Sequence, residues 1–157
     1  MDGIRAIFFD IDGTLVSFRT HRIPQTTLDA VRRVRTMGVK VFIATGRPVP
    51  FVNNLGDMEY DGIVAVNGGS VVTADGEVIL RRTIDPADLQ RLIAYEREHP
   101  MPIAFASDRE AFVTKLNDEA REVFTLLDLN EKSGVFAPIE HCLEMETMQV
   151  IPFFHAE

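Results

Sequence analysis

Three apolar segments, each followed at once by polar turn residues, constrain the fold of this 157-residue chain more than any other feature. The segments are 4–9 (IRAIFF), 39–44 (VKVFIA) and 62–66 (GIVAV), and such runs are typical of strands buried on both faces of a parallel sheet. Helical patterns at 24–38 and 48–55 separate them. This alternation predicts an α/β fold with a Rossmann-like, doubly wound parallel sheet and right-handed crossovers.

The pattern changes from Ser70 onward. An Asp-Gly turn at 74–76 lies between two β-branched runs, which predicts a hairpin. We place a domain boundary near Thr83, which separates a first part at 1–83 from a second, α+β part at 84–157. The elements predicted for the second part are helices at 86–98 and 117–129 and strands at 102–106, 111–116 and 148–154.

The charge and cysteine content exclude several classes of protein. A net charge of -8 with no basic run argues against nucleic acid or an anionic membrane as a partner. The single cysteine, Cys142, excludes an internal disulfide framework and a multi-cysteine metal site. The sequence shows no export signal and no apolar stretch of membrane-spanning length, so we expect a cytoplasmic protein.

The densest chemistry follows the first apolar segment, in Asp10-Ile11-Asp12-Gly13-Thr14. Two carboxylates this close to a buried strand repel each other unless they share a cation. Mg²⁺ is the natural candidate, because it prefers oxygen ligands and is often held by one or two carboxylates and a substrate phosphate. We therefore expect Asp10 and Asp12 to be metal ligands.

The sequence resembles the haloacid dehalogenase superfamily of phosphohydrolases, whose first motif is Asp-x-Asp-Gly-Thr at the end of the first strand. The second motif of that superfamily, a Thr or Ser that ends the second strand, is matched by Thr45 in IATGR. The amino-acid sequence of both segments resembles that of the Cof-type sugar-phosphate phosphatases, which carry a large α/β cap. The resemblance covers the core from 4 to about 82 and, more loosely, the start of the cap. It implies that 1–83 is an incomplete core and that 84–157 is an incomplete, inserted α+β cap domain.

The resemblance implies a covalent route for a small phosphorylated metabolite. Asp10 attacks phosphorus and forms an aspartyl phosphate, while Asp12 protonates the departing alcohol and then deprotonates the attacking water. The hydroxyl group of Thr45 and nearby amides hold the phosphoryl oxygens. The residues expected to bind phosphate are Thr45, Gly46, Arg47, Asn67 and Gly68. The residues alone leave open whether Arg47 is a surface side chain or binds phosphate. They also leave open whether Asn67 and Gly68 contact the substrate or only form a turn.

Two parts of the superfamily pattern are absent from the sequence: a phosphate-binding Lys and an acidic Gly-Asp-x-x-x-Asp motif, both of which follow the cap in its capped members. Lys40, Lys115 and Lys132 lie in other contexts, and Asp57 and Asp61 precede the third strand. We therefore read the chain as truncated within the cap, and expect weak magnesium binding and slow or no hydrolysis. An uncovered sheet edge also predicts a homodimer.

Other functions remain open from the sequence. A phosphomutase uses the same aspartyl-phosphate chemistry and differs in its acceptor. A response-regulator receiver is also α/β, but it carries its phosphorylated Asp after the third strand, where this chain has Asn67. A non-catalytic binding module is the third alternative. The hypothesis of a His141–Cys142 nucleophile pair is disfavoured, because neighbouring residues on a regular element point apart.

Overall fold

The computed structural model of the chain describes residues 3–127 and 135–154, with the backbone alone for Val135. The chain forms two compact units, Met1–Arg81 and Arg82–Glu157. The division after Arg81 lies two residues before the boundary expected after Thr83.

The first unit is built on a five-stranded sheet with the strands in chain order. Its first three strands are parallel neighbours, as the sequence predicts for a doubly wound sheet, whereas the last two add an antiparallel hairpin. Gly76, in the hairpin turn, has a φ of 85°, which a glycine adopts without steric cost. The strands are β1 (Ala6–Phe9), β2 (Lys40–Ala44), β3 (Gly62–Ala65), β4 (Ser70–Thr73) and β5 (Val78–Arg81).

The crossover from β1 to β2 contains helix α1 (Gln25–Thr36). The helix begins directly after Pro24, buries Val31, and ends before Gly38, whose φ is 82°. The second predicted helix, at 48–55, is wrong: the structure has a single 3-10 turn, Val49–Phe51. The helical backbone ends at Val52, whose ψ of 79° lies outside the helical region, so the turn does not continue to residue 55.

The two faces of the sheet differ in burial. On one face Val41 and Ile43 have no exposed surface, and Ile63 is 5% exposed. On the opposite face Phe8 stacks on Phe42 with ring centroids 4.9 Å apart and is still 57% exposed. The prediction that β1 is buried on both faces is therefore wrong for the Phe8 face, because a strand is buried only where other elements cover it.

Within the described part of the chain, strand β1 is the outermost strand of the sheet and pairs with β2 alone. Ile4, which precedes it, is 74% exposed. An open edge of this kind offers unpaired backbone groups to another strand. The homodimer through this edge stays a prediction, and light scattering that shows a clean monomer would contradict it.

In the residues that the structure describes, the second unit packs two helices and a short 3-10 helix, Ile139–Leu143, with a four-stranded sheet. The central residues of its core are Phe105 and Phe112, whose rings stack 5.0 Å apart, with Ile93 and Cys142 around them. The elements are α2 (Pro86–Glu98), β6 (Ile103–Ala106), β7 (Ala111–Val113), α3 (Asp118–Leu126), β8 (Val135–Phe136) and β9 (Gln149–Pro152), and the strand order in the sheet is β8-β7-β6-β9.

The α+β character expected of the second unit is thus observed, with shorter strands than predicted. Strand β8 and the 3-10 helix Ile139–Leu143 were not predicted. The end of the helix predicted at 117–129 lies outside the described residues. Within the described ranges, no helix combines the length and the apolar character that crossing a membrane requires.

Candidate active site

The loop after β1 is a tight turn that brings two aspartates to the end of the sheet. Ile11 is fully buried and anchors the loop, and Gly13 adopts a φ of 78° at its tip. The N–H group of Gly13 donates to the carbonyl of Val16 at 2.9 Å, which closes the turn. Asp10, just before Ile11, is exposed, and the side chain of Asp12, between Ile11 and Gly13, is 19% exposed.

The carboxylate of Asp10 faces solvent with little competition for its oxygens. The hydroxyl group of Thr14 donates to Oδ2 of Asp10 at 3.3 Å. Among the described residues, nothing donates a hydrogen bond to Oδ1 of Asp10. A carboxylate oxygen that is exposed and lightly bonded is available to attack an electrophile or to bind a cation.

The loop after β2 places a buried hydroxyl group at the same edge of the sheet. The N–H group of Thr45 donates to the carbonyl of Val64 at 2.9 Å, which fixes the residue at the strand end. Its Oγ1 accepts a hydrogen bond from the N–H group of Arg47 at 3.1 Å. Because the oxygen acts as an acceptor there, the hydroxyl proton is left to donate to a ligand.

The loop after β3 has an unusual backbone. Val66, Asn67 and Gly68 all have positive φ angles, 53°, 52° and 93°. Such a conformation is rare for a β-branched residue and costs on the order of 1–3 kcal/mol, a strain that is often found at functional sites. The N–H group of Asn67 donates to the carbonyl of Thr45 at 3.2 Å, so the strained turn is tied to the loop after β2.

These three loops enclose a cleft of about 260 Å³ at the carboxyl ends of β1, β2 and β3. Ligands of open α/β sheets bind at this end of the strands. Five predicted site residues line the cleft, namely Asp10, Thr45, Gly46, Asn67 and Gly68, together with Ala44 and Val64.

Asp12 and Arg47, the other two predicted site residues, pair with each other. Nε of Arg47 donates to Oδ2 of Asp12 at 2.8 Å, and Nη2 donates to Oδ1 at 2.7 Å. Arg47 is 6% exposed, which excludes the alternative that it is a surface side chain. Sequence reasoning missed this pair, although opposite charges at the ends of adjacent strands were a signal for it.

The donor set fits a magnesium ion in part. Asp10 offers one exposed carboxylate, and magnesium is often held by one or two carboxylates with substrate phosphate and water. Both oxygens of Asp12, in contrast, accept hydrogen bonds from Arg47. Residues 3–127 and 135–154 contain no group of three or more His, Cys, Asp or Glu side chains arranged to hold a metal. The expected weak magnesium binding stays a prediction.

Two further candidates, the acidic Asp61 and the nucleophilic Cys142, lie in surroundings that indicate a structural role. Asp61 accepts hydrogen bonds from Arg35, Lys40 and the N–H group of Val41. Burial raises the pKa of the fully buried Cys142 thiol, which opposes formation of a thiolate.

His141, which precedes Cys142 in the chain, also forms a structural contact. Its Nδ1 lies 2.9 Å from Oε2 of Glu144. The hydrogen bond with Glu144, assisted by Glu110, raises the pKa of His141 despite its partial burial.

Comparison with known proteins finds relatives in sequence and in structure. HMP-PP phosphatase of Enterobacter sp. (strain 638) is 34% identical over 98 residues, which are 60% of this chain and 36% of that protein. The structure of BT1666 from Bacteroides thetaiotaomicron superposes with a TM-score of 0.80 at 30% identity, over 94% of this chain and 55% of that one. The subclass IIB sugar phosphatase BT4131 superposes with a TM-score of 0.83 at 33% identity, over 94% and 58%.

The chain spans less than half the length of the curated relatives it matches, from 34% to 40% of each. The family of haloacid dehalogenase-like hydrolases matches residues 7–145, which is most of this sequence and includes all three loops of the cleft. By that match, the chain belongs to the haloacid dehalogenase-like hydrolase family.

Proposed function

We propose that this chain is part of a phosphatase that hydrolyses small phosphate monoesters, with sugar phosphates as the favoured class, through a phosphoryl group carried on Asp10. The observation that carries the proposal is the exposed, lightly bonded carboxylate of Asp10 in the same cleft as the hydroxyl group of Thr45. The names of the relatives support a phosphatase, and the name of BT4131 supports sugar phosphates as the class.

In the proposed first step, Oδ1 of Asp10 attacks the phosphorus atom, and the bond from phosphorus to the substrate alcohol breaks. Thr45 donates its hydroxyl proton to a phosphoryl oxygen, and the loop amides at Gly46 and Gly68 offer further donors. Asp12 enters this step as the neutral acid and gives its proton to the departing alcohol. In the second step Asp12 takes a proton from water, which attacks phosphorus and releases Asp10.

Asp10 is the residue of this chain that would hold magnesium, with the substrate phosphate and water completing the ligands. Bound there, the ion supplies positive charge that offsets the repulsion between the nucleophile and the phosphoryl oxygens. The side chain of Asp12 contributes only if it leaves Arg47.

The proposal is tested by the release of phosphate from p-nitrophenyl phosphate in the presence and absence of Mg²⁺. We expect slow, magnesium-dependent release by the wild-type chain and background release by Asp10→Asn. Asp57→Asn is the matched control, because Asp57 is exposed and lies outside the cleft. Magnesium-dependent release by Asp10→Asn at the wild-type rate would contradict the proposal.

A further inference from the structure

The pair of Arg47 and Asp12 is a bidentate and mostly buried ionic contact of the first unit. The side chain of Arg47 is 5% exposed and that of Asp12 is 19% exposed. The two nitrogens of one guanidinium group bind the two oxygens of one carboxylate, at 2.8 and 2.7 Å. A bidentate contact of this kind fixes the direction of the carboxylate as well as its distance, which a single hydrogen bond does not do.

Arg47 is itself held at three further points. Its Nη1 donates to the carbonyl of Phe51 at 3.1 Å. Its backbone N–H group donates to Oγ1 of Thr45 at 3.1 Å, and its carbonyl accepts from the N–H group of Val66 at 3.2 Å. The backbone of Arg47 is therefore held by two hydrogen bonds, and its guanidinium group is oriented by the carbonyl of Phe51. Together these contacts make Arg47 a rigid anchor.

Asp12 has no comparable support of its own. It lies in the turn between the buried Ile11 and Gly13, and the bonds that close this turn are made by backbone groups of its neighbours. Among the described residues, Arg47 is the side chain that donates to the carboxylate of Asp12. The orientation of the Asp12 side chain thus depends on Arg47.

We infer that Arg47 is a positioning residue, which holds the Asp12 carboxylate in one rotamer beside the cleft, and that it is not a phosphate ligand. The inference rests on the proposed function, in which Asp12 exchanges a proton with the alcohol and the water. Arg47 is absent from the residues that line the cleft. Turning its guanidinium group toward a phosphate would leave the carboxylate of Asp12 without this partner, which is costly for a mostly buried charge.

The test compares Arg47→Lys with the wild-type chain, because lysine keeps the charge and loses the bidentate contact. Arg35→Lys is the matched control, since Arg35 forms a partly buried pair with Asp61 outside the cleft. Three-bond NMR couplings measure the χ1 angle of Asp12. We expect one rotamer in the wild type and in Arg35→Lys, and averaging over several rotamers in Arg47→Lys.

The second measurement is the affinity for inorganic phosphate with Mg²⁺, followed by calorimetry. We expect Arg47→Lys to change the dissociation constant by less than about threefold, and Thr45→Ala to raise it by about tenfold or more. A loss of about tenfold in Arg47→Lys, or an unchanged Asp12 rotamer, would overturn the inference.

Two further outcomes distinguish a failure of the inference from a failure of the proposed function. If the wild-type chain binds no phosphate and releases none, the proposed function fails, while the couplings still decide whether Arg47 orients Asp12. If Arg47→Lys does not fold, hydrogen exchange at Nε of Arg47 in the wild type replaces it. Slow exchange that becomes fast in Asp12→Ala supports the contact, and fast exchange in the wild type overturns it.

Discussion

Replacing Asp61 by Asn is the sharpest test of what holds the first unit together. Asp61 lies just before β3, and its carboxylate accepts a hydrogen bond from the N–H group of Val41 in β2 at 2.9 Å. It also pairs with Arg35 at the end of α1 and with Lys40 at 3.0 Å. One carboxylate thus joins the helix, the second strand and the loop that leads into the third strand.

The expected loss of unfolding free energy follows from the exposure of each partner of Asp61. The side chains of Arg35 and Asp61 are 25% and 17% exposed, and a hydrogen bond of this charged kind contributes about 1.5–3 kcal/mol. Lys40 is 65% exposed, so its pair contributes about 0–1 kcal/mol. Asn keeps an oxygen for Val41, and we therefore expect Asp61→Asn to lower the free energy of unfolding by about 2–3 kcal/mol at neutral pH.

The effect depends on pH in a direction that the structure fixes. Burial opposes ionisation of Asp61, but the hydrogen bonds from Val41 and Lys40 and the charge of Arg35 outweigh it and lower the pKa below the ordinary value of 3.8. The stabilisation is therefore complete above pH 3.8 and is lost as the pH falls through the lowered pKa. The gap between the wild type and Asp61→Asn should close in the same range.

The assay is urea unfolding, followed by NMR signals of the first unit at neutral and acid pH. Asp57→Asn serves as the matched control, because Asp57 is exposed in the same loop. A variant Asp61→Asn as stable as Asp57→Asn at neutral pH would refute the reasoning. A stability gap that persists unchanged at the lowest pH would refute the electrostatic part of it.

Three further predictions concern the cleft and the second unit. Thr45→Ser should retain phosphate binding, measured by calorimetry, whereas Thr45→Ala should weaken it by about tenfold because a donor to a charged oxygen is lost. A Cβ at position 46 would lie 3.2 Å from Oδ1 of Asn67. Gly46→Ala should therefore displace that exposed side chain and weaken phosphate binding with little change in melting temperature. In an NMR titration, Glu144→Gln should lower the pKa of His141 toward 6.5, because the hydrogen bond with Glu144 is the largest cause of its rise; no change would contradict the contact. Since that pKa is raised on folding, the contribution of His141 to stability should be present below pH 6.5 and be lost as the pH rises through the raised value.

The parallel part of the fold was readable from the sequence because burial and hydrogen bonding act there on short, regular segments. The apolar runs that become β1, β2 and β3 end within a residue or so of the predicted positions. The exposure of Phe8 was not readable, since it depends on which elements cover the sheet. Strand β8 has two residues, too few for any periodicity to show.

The candidate site was predictable as a set of residues but not as a set of contacts. The carboxyl ends of parallel strands meet at one edge, so strand position alone indicated that Asp10, Thr45 and Asn67 lie together. The partner of Arg47 is 35 positions away in the chain, and the direction of a long side chain leaves no mark in the sequence. The left-handed backbone of Val66 was likewise hidden, because valine disfavours it.

The central claim is that Asp10 carries the phosphoryl group, and chemical trapping tests it most directly. The chain is incubated with an aryl phosphate and Mg²⁺, quenched, and reduced with borohydride, which converts an aspartyl phosphate to homoserine. Mass spectrometry of the peptides should find homoserine at position 10 in the wild type and none there in Asp10→Asn. Release of phosphate with homoserine at another position, or with no homoserine at all, would contradict the account.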